Sequence, residues 1–288
     1  MKFDRRYQLS VEVEGGRNVV IELPYTCEFQ VNRQSLASAN TGTFVIRNLG
    51  ARTRDLIYLD KYDWTVPRAI QFRAGYGTFT PLILNGTVKQ AYSYREGVDM
   101  VTVIEAWDGG FQHVNGFSSM TVASGQSANY ILNKLCADLP QIKGAPIIGD
   151  FPVTNSRGEV LFGNTWNIIQ QKSNGLATID NSQVKILNNN ECIEGAIPLI
   201  TGLSGLLGSP RRSDAQLEFD MLFEPRFTIG QIIQLQSSTN KLFDGTYKVM
   251  GFNHKGVVSP VVSGDYTTSV SLWLGTEELK VLKGAVVQ

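Results

Sequence analysis

Residues 216–223 read QLEFDMLF: the apolar side chains Leu217, Phe219, Met221 and Phe223 alternate with Gln216, Glu218 and Asp220. A strand turns successive side chains to opposite faces, so this spacing buries one face of a sheet and leaves the other in water. The flanking sequence repeats the signal. Ile229–Gln236 reads as a second strand, and Lys241–Phe243 and Thr246–Met250 bracket Asp244-Gly245, a dipeptide that favours tight hairpins. Tyr266–Leu274 closes the set, with Tyr266, Val270, Leu272 and Leu274 on one face. Residues 196–288 are therefore predicted to form a β domain.

The same period of two runs from Arg5 to Asp108. Tyr7–Val13 and Asn18–Leu23 flank Glu14-Gly15-Gly16-Arg17, Phe29 and Val31 alternate with polar neighbours, and so do Phe44 and Ile46. Arg68–Ala74, Leu82–Tyr94 and Val98–Trp107 read as further strands, and Ala51–Tyr62, with Leu56 and Leu59 three apart, as one short helix. In Val98–Trp107, Met100, Ile104 and Ala106 lie on one face and Val101, Val103 and Trp107 on the other. An antiparallel sheet commonly wets one face, so two apolar faces call for a cover on each. That cover is either another part of the chain or a neighbouring subunit, which makes Val101, Val103 and Trp107 candidate interface residues.

Near Gly116 the pattern changes to helical spacing. Ser127–Leu139 places Tyr130, Ile131, Leu135 and Leu139 on one side behind Ser124 or Ser127 as N-cap. Thr165–Lys172 follows Asn164, turns Trp166, Ile168 and Ile169 to a core, and stops at Asn174-Gly175. Leu176–Ile179 and Gln183–Leu187 form a hairpin through Asp180-Asn181-Ser182. The predicted fold is mainly β, with β domains at 1–116 and 196–288 flanking a small mixed α/β domain at 117–195.

Of the 288 residues 42% are hydrophobic and 18% charged, with 26 basic and 26 acidic side chains. Such a chain buries enough apolar surface to fold. The three segments carry net charges of +1, −1 and 0, so no basic segment marks a phosphate-neutralising nucleic-acid binder or a ligand of anionic membranes. Net neutrality favours self-association. Cys27, Cys136 and Cys192 fit neither a disulfide framework nor zinc-ligand spacing and are expected as core thiols. Met1–Ser10 has no apolar run after its charges, so no signal peptide is expected. Gly195–Gly208, the most apolar segment, is too short and too rich in Gly and Pro to span a bilayer.

Catalytic motifs are missing. No phosphate-binding Gly-x-x-x-x-Gly-Lys-Ser/Thr and no Gly-x-Ser-x-Gly elbow occurs, and Gly202-x-x-Gly205-x-x-Gly208 has the wrong spacing for dinucleotides. His113 and His254 read as loop or satisfied structural histidines. Glu218 and Asp220 read as a solvated or interface face, Asn188-Asn189-Asn190-Glu191 as a polar turn, and Arg211-Arg212 as a loop rim. No catalytic, metal or cofactor site is expected.

The C-terminal third carries a family pattern. Gly205-Leu206-Leu207-Gly208-Ser209-Pro210 precedes the alternating strand, and Glu224-Pro225-Arg226-Phe227-Thr228-Ile229-Gly230 leads into Gln231–Gln236. Asp244-Gly245-Thr246-Tyr247-Lys248-Val249 then leads to His254-Lys255-Gly256. With the order β, small α/β, β, this resembles the baseplate hub protein of contractile-tailed bacteriophages, relative of the hub portion of the type VI secretion spike, most closely over residues 203–275. Pro225 suits a strand entry and Gly230 a tight turn, Asp244-Gly245 sets register, and Gly205, Gly208 and Pro210 suit an irregular connector.

The resemblance implies two tail-tube-like β-barrels and a homotrimer whose six barrels mimic one sixfold tube layer. It implies as partners the tail tube protein, the central spike protein and other baseplate proteins, with DNA passing through a channel without specific binding. It places the protein in the virion tail, assembled in the host cytoplasm, with no membrane insertion. Some hubs carry a peptidoglycan-cleaving domain, but residues 117–195 are too short for one, so no hydrolase activity is expected. A competing reading is a carbohydrate-binding tail or receptor-binding module, with Trp64, Tyr76 and Tyr92 as exposed aromatic candidates.

Overall fold

The computed structural model describes residues 4–35, 39–60, 67–196 and 199–282. The first part of the chain forms β1 (Arg5–Val13), β2 (Arg17–Glu22), β3 (Cys27–Gln34), β4 (Asn40–Arg47), α1 (Ala51–Ile57), β5 (Ala69–Tyr76), β6 (Leu82–Glu96) and β7 (Asp99–Asp108). The middle forms α2 (Gly110–Asn115), β8 (Phe117–Val122), α3 (Ala128–Ala137), β9 (Ile147–Ile148), β10 (Glu159–Asn164), α4 (Thr165–Lys172), β11 (Ala177–Asp180), β12 (Gln183–Ile186) and β13 (Glu191–Ile193). The last part forms β14 (Leu199–Ile200), β15 (Leu206–Ser213), β16 (Gln216–Leu222), β17 (Ile232–Leu235), β18 (Gly245–Val258), β19 (Tyr266–Trp273) and β20 (Lys280–Leu282), with 3-10 turns at Gly202–Ser204 and Lys241–Phe243.

Thirteen strands from both ends of the chain join in one sheet, ordered β15-β16-β19-β18-β3-β4-β7-β6-β5-β1-β2, with β17 and β14 attached beside β18. The joint is an antiparallel ladder of β18 with β3, from Gly251 opposite Gln34 to Val258 opposite Cys27. The sheet ends at β15 and β2, so among the described residues no closed barrel is found, in contrast to the two barrels that the resemblance implies. Arg5 and two tyrosines link β1 and β5 to the C-terminal strands: Tyr266 Oη donates to Gly75 O at 3.1 Å and Tyr76 Oη to Phe223 O at 3.3 Å. The Arg5 Nη1 donates to Val257 O at 3.2 Å and Gly264 O at 2.7 Å, and the guanidinium lies over the Tyr266 ring.

Alternation decides the cores. On the inner face Phe29, Phe44, Phe72, Leu9 and Ile104 pack together with Phe223, Val258 and Tyr266 from the C-terminal third. A second core gathers Phe219, Met221, Ile233, Phe252 and Leu272. A third lies within the middle segment, where α3 and α4 pack Leu132, Leu135 and Ile169 against Ile179 and Val184. Ser127 and Asn164 cap these helices, accepting from Tyr130 N and Asn167 N. Tyr130, expected on the buried face of α3, points to solvent.

Four local expectations are corrected. The helix at 51 stops at Ile57, because Tyr58 turns extended and Leu59 exchanges two 2.9 Å backbone bonds with Ala91 on the edge of β6. Residues 61 and 62 of that predicted helix lie outside the described residues. Asp244-Gly245 is not a hairpin turn: Lys241–Phe243 is a 3-10 turn, Gly245 does not take a left-handed conformation, and Asp244 accepts Ser237 N at 2.7 Å to shape the β17–β18 connection. The expected connector at 205–210 contains the start of edge strand β15. Gly208 (φ +64°) lies in a register shift there, and Pro210 is tolerated because an edge strand needs no ladder bond on its outer side. His113 sits in α2, not a loop, and β8 and β10 form a ribbon that period alone missed.

Candidate functional site

All three parts of the chain meet at the β11–β12 turn. Asn181 and Ser182 take left-handed φ of 52° and 62°, so the turn closes in two residues and presents their amides outward. Both amides are accepted by the carboxylate at the end of β7: Ser182 N lies 2.9 Å from Asp108 Oδ1, and Asn181 N bonds Oδ2. From β4, Asn40 Nδ2 donates to Ile179 O at 2.7 Å. From β6, Asn85 N donates to Asn181 Oδ1 and Asn85 Nδ2 to Ser182 Oγ, both at 3.0 Å.

Charge fills the space beneath. Arg33 on β3 and Lys185 on β12 donate to opposite oxygens of Asp180 at 2.5 and 2.7 Å, and all three side chains are 2% exposed. Lys185 also reaches Thr228 Oγ1, which donates to Asp180 at 3.0 Å, while Arg33 bonds Ile83 O and Asn181 Oδ1. Burial works to raise the Asp180 carboxyl, but the Lys185 and Arg33 cations outweigh it and hold the group below the usual carboxylate range. Asp108 goes the other way. Burial pushes it up to about 7, and the Asp180 charge adds to this against Arg33 and the two amides.

The outer sheet face is the second candidate. Cross-strand partners place Asp220, Ser269, Asn253, Asn32 and Thr41 in one line across five strands, with Lys255, Gln30, Thr43 and Glu105 in the next. Glu218 and Asp220, expected on a solvated or interface face, both receive Arg211, at 3.3 and 3.2 Å. Arg211 thus belongs to β15, not to a loop rim. Arg47 bridges Glu28 and Glu96, Lys89 meets Glu105, and Lys255 meets Asp265. These polar rows, with Arg47, Lys89, Arg211 and Lys255 ion-paired, run through both β regions.

Val101 and Val103 lie on this face but are only 1% and 7% exposed. Val101 stands between Arg47 and Tyr94, and Val103 between Val45 and Tyr92. Trp107 is half-buried, its ring against Gly110 at the start of α2. Of the aromatic candidates, Tyr92 is partly exposed and stacks on Tyr94 at 6.3 Å, whereas Tyr76 packs on Phe223 and Tyr266 and donates to Phe223 O. Trp64 lies outside the described residues.

The motif residues do not converge on one site. Gly205 (φ +108°) ends a 3-10 turn, Leu206 and Leu207 open β15 opposite Met221 and Asp220, and Pro225 is buried between Glu224 and Arg226, which pair with each other. Gly230 (φ +82°) leaves room for Leu187, and Tyr247 donates to Phe243 O. His254 is buried on the inner face, its Nδ1 2.8 Å from Thr268 Oγ1, and burial with nearby Arg33 lowers it to about 3. His113 stacks on Trp166, and burial lowers it to about 4. The three cysteines are buried and free. Among the described residues no cluster of His, Cys, Asp and Glu could hold a metal, and no helix is long and apolar enough to cross a membrane.

An open sheet flanked by a small helical unit and knitted together at a buried charge cluster suits a structural part. A model of the family described as baseplate hub gp41 matches residues 7–255. The chain belongs to this family. The hub chain is also similar in fold to the 43 kDa tail protein of prophage MuSo2 from Shewanella oneidensis, with a TM-score of 0.62, 9% identity, and 92% of this chain and 96% of that one covered. A tail protein of Neisseria meningitidis MC58 follows at 0.53, 11% identity, and 93% and 96%. The Escherichia coli c3393 protein, described as a type VI secretion component with structural similarity to T4 tail proteins gp27 and gp5, stands at 0.52, 10% identity, and 93% and 78%. No curated protein matches the hub chain in sequence. It is a structural tail protein of the baseplate hub kind.

Proposed function

We propose that this chain forms a homotrimeric hub that joins the sixfold tail tube to the threefold central spike, with other baseplate proteins around it, and acts without catalysis. Residues 1–116 and 196–288 serve as the two tube-like parts and 117–195 as the unit between them. The observation that carries this reading is the outer sheet face, whose rows of polar side chains cross from one β region to the other through the β18–β3 ladder. Two tube-like parts in one chain must present a common wall, and the β18–β3 ladder supports such a wall. We assign this face to the channel. Arg47, Lys89, Arg211 and Lys255 on it are held by Glu28, Glu96, Glu105, Glu218, Asp220 and Asp265, and a polyanion is gripped by free cations that release counterions. DNA would therefore pass without being bound. The virion tail, after assembly in the host cytoplasm, is the corresponding location.

Light scattering across a concentration series tests the trimer. Three copies of 31.8 kDa give about 95 kDa, and closed threefold assemblies are much rarer than dimers. The expected result is that mass, alone or with the spike protein. A chain that stays monomeric with and without the spike refutes the reading. The stacked Tyr92–Tyr94 pair is the one feature that favours a carbohydrate-binding module instead, and glycan-dependent quenching of fluorescence lost in Tyr92→Ala would support it.

A further inference from the structure

The β8–β10 ribbon turns one face inward and the other to water. Val122 and Leu161 join the core built around α3 and α4, and alternation then sends Phe117, Ser119 and Thr121 of β8 outward beside Val160 and Phe162 of β10. Phe162 is 72% exposed, Val160 70% and Phe117 58%, and the two rings meet edge to face at 5.1 Å. Val114, also exposed, extends the patch, because Asn164, the cross-strand partner of Phe117, donates to the neighbouring His113 O at 2.8 Å. These four side chains leave roughly 400 Å² of apolar surface in water, a size at which a patch on a single chain commonly has a use.

The sequence says what kind of surface covers it. No Asp, Glu, Lys or Arg occurs from Gly109 to Asn133, and Glu159, at the end of the ribbon, is ion-paired with Lys172. Interface cores are depleted of charge and enriched in aromatic rings, and a face without charge offers nothing to a charged partner. The ribbon is also open at its sides, since β8 and β10 pair with each other and with no third strand among the described residues. Such edges accept an added strand through backbone hydrogen bonds, with alternate side chains supplying specificity. Area points the same way. A free-standing complex needs about 800 Å² per partner, twice what the patch provides, so the patch suits a single strand held nearby by other contacts rather than a whole globular face. Neighbouring copies in the proposed threefold ring meet through two different surfaces, so a face-to-face pairing of like ribbons has no place there.

We propose that the outer face of the β8–β10 ribbon docks an uncharged, apolar strand of another tail protein, which adds to the open edge and covers Phe117, Val160 and Phe162. The hub reading supplies the setting on which this rests. The exposed rings, the open edges and the charge-free sequence supply the site.

Purified tails that carry the chain test it. With Phe162 replaced by the photocrosslinking residue benzoylphenylalanine, irradiation of assembled tails is expected to join the chain to one other tail protein at an uncharged segment. Adding Phe117→Ser and Val160→Ser is expected to reduce that product at least tenfold. A product made of two copies of this chain, or a joint at a charged segment, overturns the choice of partner. No product from tails that contain the variant overturns the docking face and leaves the hub reading intact, whereas absence of the wild-type chain from purified tails overturns both. Hydrogen exchange on the wild-type chain, free and in tails, decides the matter even if the variants do not assemble. Amides in 117–122 or 159–164 are expected to slow at least tenfold in tails, and unchanged exchange in both stretches refutes the proposal.

Discussion

Gly256 sits where β18 passes between two rings, and Gly256→Ala is a sharp test of why the motif His254-Lys255-Gly256 has a glycine. A Cβ built there comes within 2.5 Å of the Tyr266 ring and 2.7 Å of the Phe29 ring. Neither ring has room to retreat. Phe29 lies against Phe72 and Phe223, with centroids at 4.8 and 5.8 Å, and Tyr266 lies against Phe223 at 4.2 Å and is tied to Gly75 O by its hydroxyl. Inserting one methyl into a packed core typically costs about 1–3 kcal/mol, and two simultaneous overlaps place this substitution near the upper end, at about 3 kcal/mol. Gly245→Ala is the control, because its Cβ meets only the half-buried Tyr247 ring at 3.3 to 3.4 Å, an adjustment of about 0.5 kcal/mol. Urea unfolding at constant slope measures both. A loss below about 1 kcal/mol for Gly256→Ala, or equal losses for the two variants, refutes the packing argument.

Val103→Glu should destabilise the single chain by about 3 kcal/mol or more, since it buries a carboxylate between Val45 and Tyr92, whereas Tyr92→Glu should stay within about 1 kcal/mol; thermal unfolding checks the contrast. His254 and His113 are neutral in the fold with lowered pKa values, so their contribution is present above pH 6.5 and is lost as pH falls towards about 3 and 4. Asp108, raised to about 7, stabilises the fold below its unfolded value near 3.8 and loses that contribution as pH rises through 7. Two losses against one gain leave a net fall of about 1.4 kcal/mol per pH unit from pH 6.5 down to 4. His254→Gln should flatten that slope, and urea midpoints between pH 4.5 and 7 measure it. Phe117 and Phe162 meet edge to face at 5.1 Å with more than half of each side chain exposed, so changing both to Ser should reduce binding of an apolar dye without lowering the melting temperature.

The strands were legible because each carries its own evidence. The alternation in QLEFDMLF became β16, and Thr165–Lys172 became α4 at the same boundaries, because local spacing and tertiary burial agree there. The failures share a cause. The helix at 51 is shortened by Leu59 pairing with Ala91, a partner 32 residues away that no local window contains. β15 hides behind Gly208 and Pro210, which read as irregular unless the strand is known to be an edge. The charged junction is not legible as a site although every member is in view: Asp180-Asn181-Ser182 reads as a turn, but nothing near it in sequence announces Arg33, Asp108 or Thr228. A strand-final Asp after an apolar run, and a lysine on a strand whose other residues face a core, are the signals that a buried ionic group was needed.

The polar face shows why the same limit applies to function. Each predicted strand announces its outward residues by period alone, so Gln30, Asn32, Thr43, Glu218 and Asp220 are assignable to solvent one strand at a time, whereas Asn253 and Lys255 lie beyond the predicted end of their strand at Met250. Their meaning comes from adjacency. Only the β18–β3 ladder turns two sets of ordinary wet residues into one wall, and pairs such as Arg211 with Glu218 and Asp220 compensate its charge. Charge compensation across strands is invisible to a net count of zero, which a surface of separated positive and negative patches would equally satisfy. Glu218→Gln with Asp220→Asn separates the cases. It frees Arg211 at the β15 edge of the face, and a free cation there should strengthen retention of DNA at low salt, with the gain lost as salt rises. If the wild-type chain already binds DNA in 50 mM salt, or if the double variant does not bind it more strongly, the face is not kept neutral for a passing polyanion.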